Sequence, residues 1–94
     1  MKKPAQRERE LYEALIQLKN FEEFQRFFSD LCTPAEIQAM ADRWKVAQLL
    51  YQKHPYREIY EMTGVSTATV TRVARCLSYG ENGYKLLLER LHKI

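Results

Sequence analysis

The sequence predicts an all-α protein of six helices, and three observations carry that reading. Apolar residues recur at the three-and-four spacing of a helix in stretch after stretch, as in Val70, Val73, Ala74 and Leu77. The only three glycines, Gly64, Gly80 and Gly83, cluster late in the chain, so the remainder has few breaks. Two strong helix-start signals, Asn20 with Glu23 and Thr33 with Glu36, divide the first half.

Taken in order, Met1 to Gln6 is a short basic lead. Leu11, Ala14, Leu15 and Leu18 then give a helical stripe between Arg7 and Lys19. Asn20 interrupts that stripe and caps a helix carrying Phe21, Phe24, Phe27, Phe28 and Leu31. Phenylalanine at this density is read as core rather than as a ligand site. Thr33-Pro34-Ala35-Glu36 starts the longest helix: threonine caps, and proline sits where its missing N–H costs nothing. Pro55 should end that helix at His54, because the residue before a proline avoids the α region. The helix has one stripe of Ile37, Met40, Ala41 and Trp44 and a second of Val46, Leu49 and Leu50, so it expects cover on two sides.

Tyr56 to Ser78 reads as two short helices around one tight turn, a helix-turn-helix. Gly64 is the pivot, free to take φ > 0. Ile59 and Met62 lie on one face before it, and Val65 plugs the crossing. Thr63 departs from the pattern, standing where such motifs place an apolar residue. A loop, Tyr79 to Gly83, leads to a last stripe of Tyr84, Leu87, Leu88 and Leu91, with Leu86 and Ile94 apolar outside it. Residues 1–94 are read as one domain. The apolar excess on the phenylalanine helix, the long helix and the last helix is more than so short a chain can cover, which predicts an intertwined homodimer.

The second helix of the motif has an informative outer face. Ala68, Thr71, Arg72 and Arg75 fall opposite the apolar stripe, with Thr67 at the N-terminal end and Ser66 as cap. Small and hydroxyl residues allow close approach to DNA, and arginine offers paired donors to phosphate or guanine. An ordinary solvated helix mixes Glu with Lys, yet no acidic residue occurs from Gly64 to Gly80. The pattern therefore favours a helix that enters the major groove.

Other classes fare worse. A net charge of +3 suits a polyanion partner but is weak support alone. No apolar run approaches the roughly 20 residues of a membrane span, and the polar start is unlike a signal peptide, so a cytoplasmic protein is expected. Cys32 and Cys76 are far apart, with no C-x-x-C and no histidine at ligand spacing, and read as reduced thiols. His54 and His92 are isolated. There is no catalytic constellation and no cofactor signature, so neither an enzyme nor a metal protein is expected.

LCTPAEIQAMADRW, REI at Arg57–Ile59 and GVSTATVTR at Gly64–Arg72 together resemble the tryptophan repressor family, specifically its small YerC/YecD branch. The resemblance covers Leu31 to about Leu91. It implies an interlocked homodimer presenting two recognition helices to a palindromic operator. It also implies that Arg57 contacts DNA, that Thr67, Ala68 and Thr71 face bases or bridging waters, and that Arg72 meets phosphate. Tyr60 stands where the repressor has lysine. Of the repressor's ligand site, Thr33, Arg43, Thr69 and Arg72 match. Val73 replaces a glycine that makes room for indole, Cys76 replaces a serine, and Asp30 and Cys32 replace apolar residues. An effector pocket over Thr33, Arg43, Thr69, Arg72, Val73 and Cys76 is thus expected to exclude tryptophan.

The leading expectation is a sequence-specific DNA-binding transcriptional regulator, a repressor acting by occlusion, with double-stranded DNA as partner. The alternative is a helix-turn-helix used as a protein- or RNA-interaction or assembly module. The non-acidic outer face of the second motif helix separates the two in favour of DNA.

Overall fold

A computed structural model describes residues 3–92. Met1, Lys2 and Ile94, placed above in the basic lead and the last apolar face, lie outside the described residues. Six helices and no strand occur among the described residues: α1 (Gln6–Leu15), α2 (Phe21–Leu31), α3 (Pro34–Tyr51), α4 (Tyr56–Thr63), α5 (Thr67–Tyr79) and α6 (Gly83–His92). They fall into two compact units, one ending at Ile37 and the other beginning at Gln38.

In the first unit, α1 stops four residues before the expected Lys19. The backbone N–H groups of Gln17 and Leu18 bond only three residues back, to Ala14 and Leu15, so the helix tightens and ends. Lys19 already belongs to the next helix start: its N–H donates to Glu23 Oε1 at 2.9 Å. The Asn20 side chain accepts from the Glu23 N–H at 3.0 Å, as the sequence signal requires. Helix α2 then contradicts the reading of its phenylalanines as core of this chain. No residue of α2 is buried, and Phe21 is 82% exposed. Phe28 meets Phe27 edge-on and lies nearly parallel to Phe24, centroids 6.0 and 6.3 Å apart, so the rings cluster mainly with one another. At the start of α3 the reciprocal cap forms in full. Thr33 N–H donates to Glu36 Oε1 at 2.8 Å, and Glu36 N–H donates to Thr33 Oγ1 at 3.1 Å. These bonds, the backbone one foremost, hold the Glu36 carboxyl below its ordinary range.

The second unit contains the core. Val46, Ala47 and Leu49 of α3, Ile59 of α4, Val65, and Val70 and Val73 of α5 form one buried cluster, and Leu88 of α6 is buried as well. The second stripe of α3 is therefore the inward one, whereas Met40 of the first stripe is exposed. Trp44 and Tyr84 pack against the cluster and stack on each other, 6.3 Å between centroids.

Helix α3 ends at Tyr51 rather than His54, and proline is only part of the reason. Lys53 adopts φ 70°, its N–H bonds the Leu50 carbonyl, and the His54 N–H bonds the Leu49 carbonyl. That pair of bonds is the Schellman termination, made here without the usual glycine. Gly64 takes φ 71° after α4, as the turn demands. Thr63, the apparent exception, fits locally. Its hydroxyl donates to the Ile59 carbonyl at 2.7 Å and accepts from the Val65 N–H at 3.1 Å, so it closes the turn that an apolar residue would only fill. Ile59 is fully buried but Met62 is 54% exposed, which leaves α4 one inward contact where two were expected. Gly80 ends α5 under a steric requirement: a Cβ there would collide with the Cys76 carbonyl. In α6 only Leu88 is buried, and Leu86, Leu87 and Leu91 are exposed.

Candidate nucleic-acid interface

The candidate surface is the outer face of α5. Ser66 caps the helix by accepting from the Thr69 N–H at 3.2 Å and hydrogen-bonding the Thr69 hydroxyl at 3.1 Å. That cap fixes where the helix begins, and the burial of Val70 and Val73 fixes how it is rotated. With both set, Thr67, Ala68, Thr71, Arg72 and Arg75 are all exposed. Together with half-buried Cys76 they line one open concavity of about 510 Å³. Five of these are the residues that the helical wheel turns toward DNA, and Cys76 belongs to the expected effector pocket.

The electrostatics are one-signed. Arg72 and Arg75 are the charged residues of α5, and neither makes an ion pair among the described residues. Both guanidinium groups thus keep their donors for an external anion. Arg57, on α4, is differently placed. It is 92% exposed and lies 3.6 Å from Glu61, four residues on. An exposed pair of this kind is worth ~0.2–1 kcal/mol, so Arg57 can leave it for a phosphate at little cost. The four-residue spacing of Arg57 and Glu61 on one helix face is what brings the pair together.

The residues expected to form an effector pocket are distributed unevenly. Arg72 and Cys76 line the concavity, and Arg43 and Thr69 do not, although both are half-buried in the same unit. Val73 is 1% exposed and belongs to the core cluster, where its stripe placed it. The Thr33 hydroxyl is engaged by the Glu36 N–H. Among the described residues no group of three or more His, Cys, Asp or Glu is arranged to hold a metal ion. No described helix is long and apolar enough to cross a membrane.

A family model described as the Trp repressor protein matches residues 6–92. The chain belongs to the Trp repressor family. This family member is 46% identical over 82 residues to YerC, an uncharacterised protein of Bacillus subtilis, covering 87% of the chain and 79% of YerC. It is 33% identical over 82 residues to a Trp operon repressor homologue of Chlamydia caviae, covering 86% and 81%. Its structure superposes on that of a candidate Trp repressor from Staphylococcus aureus with a TM-score of 0.89 and 40% identity, over 94% and 88% of the two chains. A TrpR-like protein from Eubacterium eligens gives 0.88 and 42% over 93% and 90%. The all-α, Trp repressor-like fold and the YerC branch expected from the sequence are thereby established. Membership points to a DNA-binding transcriptional regulator, a repressor type of family rather than an enzyme family.

Proposed function

We propose that this Trp repressor family member is a sequence-specific transcriptional repressor that binds a palindromic operator as a homodimer. The observation that carries the reading is the α5 face, which combines exposed Thr67, Ala68 and Thr71 with two arginines that make no ion pair among the described residues, and has no acidic residue. In this reading Arg57, Arg72 and Arg75 meet phosphates, Ser66 and the free N–H groups near it sit against the backbone, and Thr67, Ala68 and Thr71 meet base edges. The dimer is supported by the uncovered apolar surface of α2 and α6, with Phe21 82% and Leu91 55% exposed. Paired recognition helices would then lie about 34 Å apart, one turn of DNA.

We further propose that tryptophan is not the controlling ligand. Val73 stands where the repressor's glycine leaves room for indole, and its side chain packs with the core at 1% exposure. Inserting an indole there would overpack the site, which costs ~1–3 kcal/mol, or roughly 5–160-fold in affinity.

Selection from a random duplex library, followed by binding titrations at several salt concentrations, tests both proposals. The expected product is an inverted repeat. Arg72→Ala should weaken binding on every sequence and flatten the salt slope by about one unit, the mark of a lost phosphate contact. Thr67→Val should change base preference with the slope intact. Variants that keep parental affinity and preference would remove α5 from the interface. Millimolar tryptophan should give no saturable heat and leave the complex unchanged; saturable binding that tightens the complex would refute its exclusion.

A further inference from the structure

A recognition helix reads bases with its N-terminal residues, and α5 is longer than the groove those residues enter. Its thirteen residues span about 20 Å, whereas the major groove is about 12 Å wide. The C-terminal half of α5 therefore passes over a backbone wall of the groove, and the surface beside it faces phosphates.

That surface is a second cleft, of about 350 Å³, which shares no residue with the α5 concavity. Ala74, Leu77 and Ser78 line it from α5, on either side in sequence of Arg75 and Cys76, which line the concavity. Tyr56 brings in the start of α4, one residue before Arg57, and the first helix of such a motif crosses the DNA backbone. Lys53, just after α3, and Lys85, in α6, bring two ammonium groups to the lining. Both are exposed, and neither makes an ion pair among the described residues. No described acidic residue lines the cleft. The Ser78 and Tyr56 hydroxyls add neutral donors of the kind that meet phosphodiester oxygens.

Lys53 supplies an observation independent of charge. It ends α3 at φ 70°, where glycine is free of strain and a residue with a side chain is not. Helix termination alone would be better served by glycine, so the lysine is explained by what its side chain does. Non-glycine residues held in this region concentrate at functional sites. The constrained backbone also fixes where that side chain starts, which reduces the ordering cost when its ammonium meets an anion.

We propose that Lys53 and Lys85 form a phosphate clamp at the wall of the major groove, extending the DNA interface from α4 and α5 onto the end of α3 and the start of α6. The clamp rests on the DNA-binding reading above. Its lysines are positioning residues: they hold the register of the duplex under α5 and read no base.

The test uses the full chain and a duplex obtained by the selection described above. Lys53→Gln/Lys85→Gln should weaken binding at least about tenfold, on selected and unselected duplexes alike. Its salt slope should flatten by about two units for each protomer bound, one per lost phosphate contact, with the preferred sequence unchanged. Both lysines are exposed and outside the core, so the variant's circular dichroism should match the parent's. Ethylation interference locates the contact: the parent should show a group of sensitive phosphates that Arg72→Ala retains and the double variant loses. Lys53→Gly separates charge from structure. It should melt no lower than the parent, because glycine suits the left-handed position, and still bind DNA more weakly. Parental binding by Lys53→Gly would remove Lys53 from the clamp. A double variant with the parental salt slope and interference pattern would overturn the clamp and leave the α5 reading intact. A parent that binds no duplex would overturn the α5 reading and the clamp with it.

Discussion

Helices α2 and α5 make an instructive pair. Within its eleven residues α2 carries all four phenylalanines of the chain and Leu31, yet buries none of them. The thirteen residues of α5 carry a lighter stripe of Val70, Val73, Ala74 and Leu77, and two of those valines are at 0% and 1% exposure. Apolar content and burial are therefore separate quantities. The α5 stripe finds Val46, Ala47, Leu49 and Ile59 within its own unit. The α2 face finds mostly itself, and an exposed apolar patch of that kind marks an interaction surface.

The contrast can be broken most strongly at the core. Ile59→Ala removes a fully buried side chain among residues that cannot all collapse into the gap. It should cost about 2–5 kcal/mol in thermal or urea unfolding. Next comes the α2 face. Phe21→Ser with Phe24→Ser should leave the helix content unchanged and weaken self-association by about 2 kcal/mol, roughly thirtyfold. Sedimentation that shows no change in self-association would take α2 out of the proposed dimer interface.

Smaller effects test the turn that orients α5. Gly64→Ala meets no atom within 4 Å, so its cost is backbone strain alone, about 1–2 kcal/mol. Ser66→Ala removes the α5 cap and should cost ~1 kcal/mol, with weaker DNA binding as the helix start frays. The smallest effect is at Glu36. Its carboxyl is held low by Thr33, so it contributes stability above the ordinary carboxylate range and loses it as pH falls through the lowered value. Thr33→Ala should return the Glu36 titration, followed by carboxyl NMR, toward the ordinary value. Full exposure keeps the accompanying change in acid stability small.

Much of the candidate site was legible because a helix converts spacing into direction. Once Val70 and Val73 face inward, Thr67, Ala68, Thr71, Arg72 and Arg75 can only face outward, and they do. The Arg57–Glu61 pair was equally readable from its four-residue spacing. A cleft of about 350 Å³ between the 50–56 and 74–85 stretches was not, because those two stretches stand 18 positions apart in the chain.

Features that depend only on neighbours within about four positions are already written in the chain. The caps at Asn20, Thr33 and Ser66 and the left-handed turn at Gly64 are all of this kind, since each is a short-range hydrogen bond or a steric allowance of one residue. Tertiary structure decided which apolar stripes were used. Ile59 is buried and Met62 exposed on the same short helix, and α3 turns Val46 and Leu49 inward while Met40 stays outside. It also decided that α3 ends on a strained Lys53. Burial is settled by what packs opposite a side chain, and hydrophobicity alone carries no record of that partner.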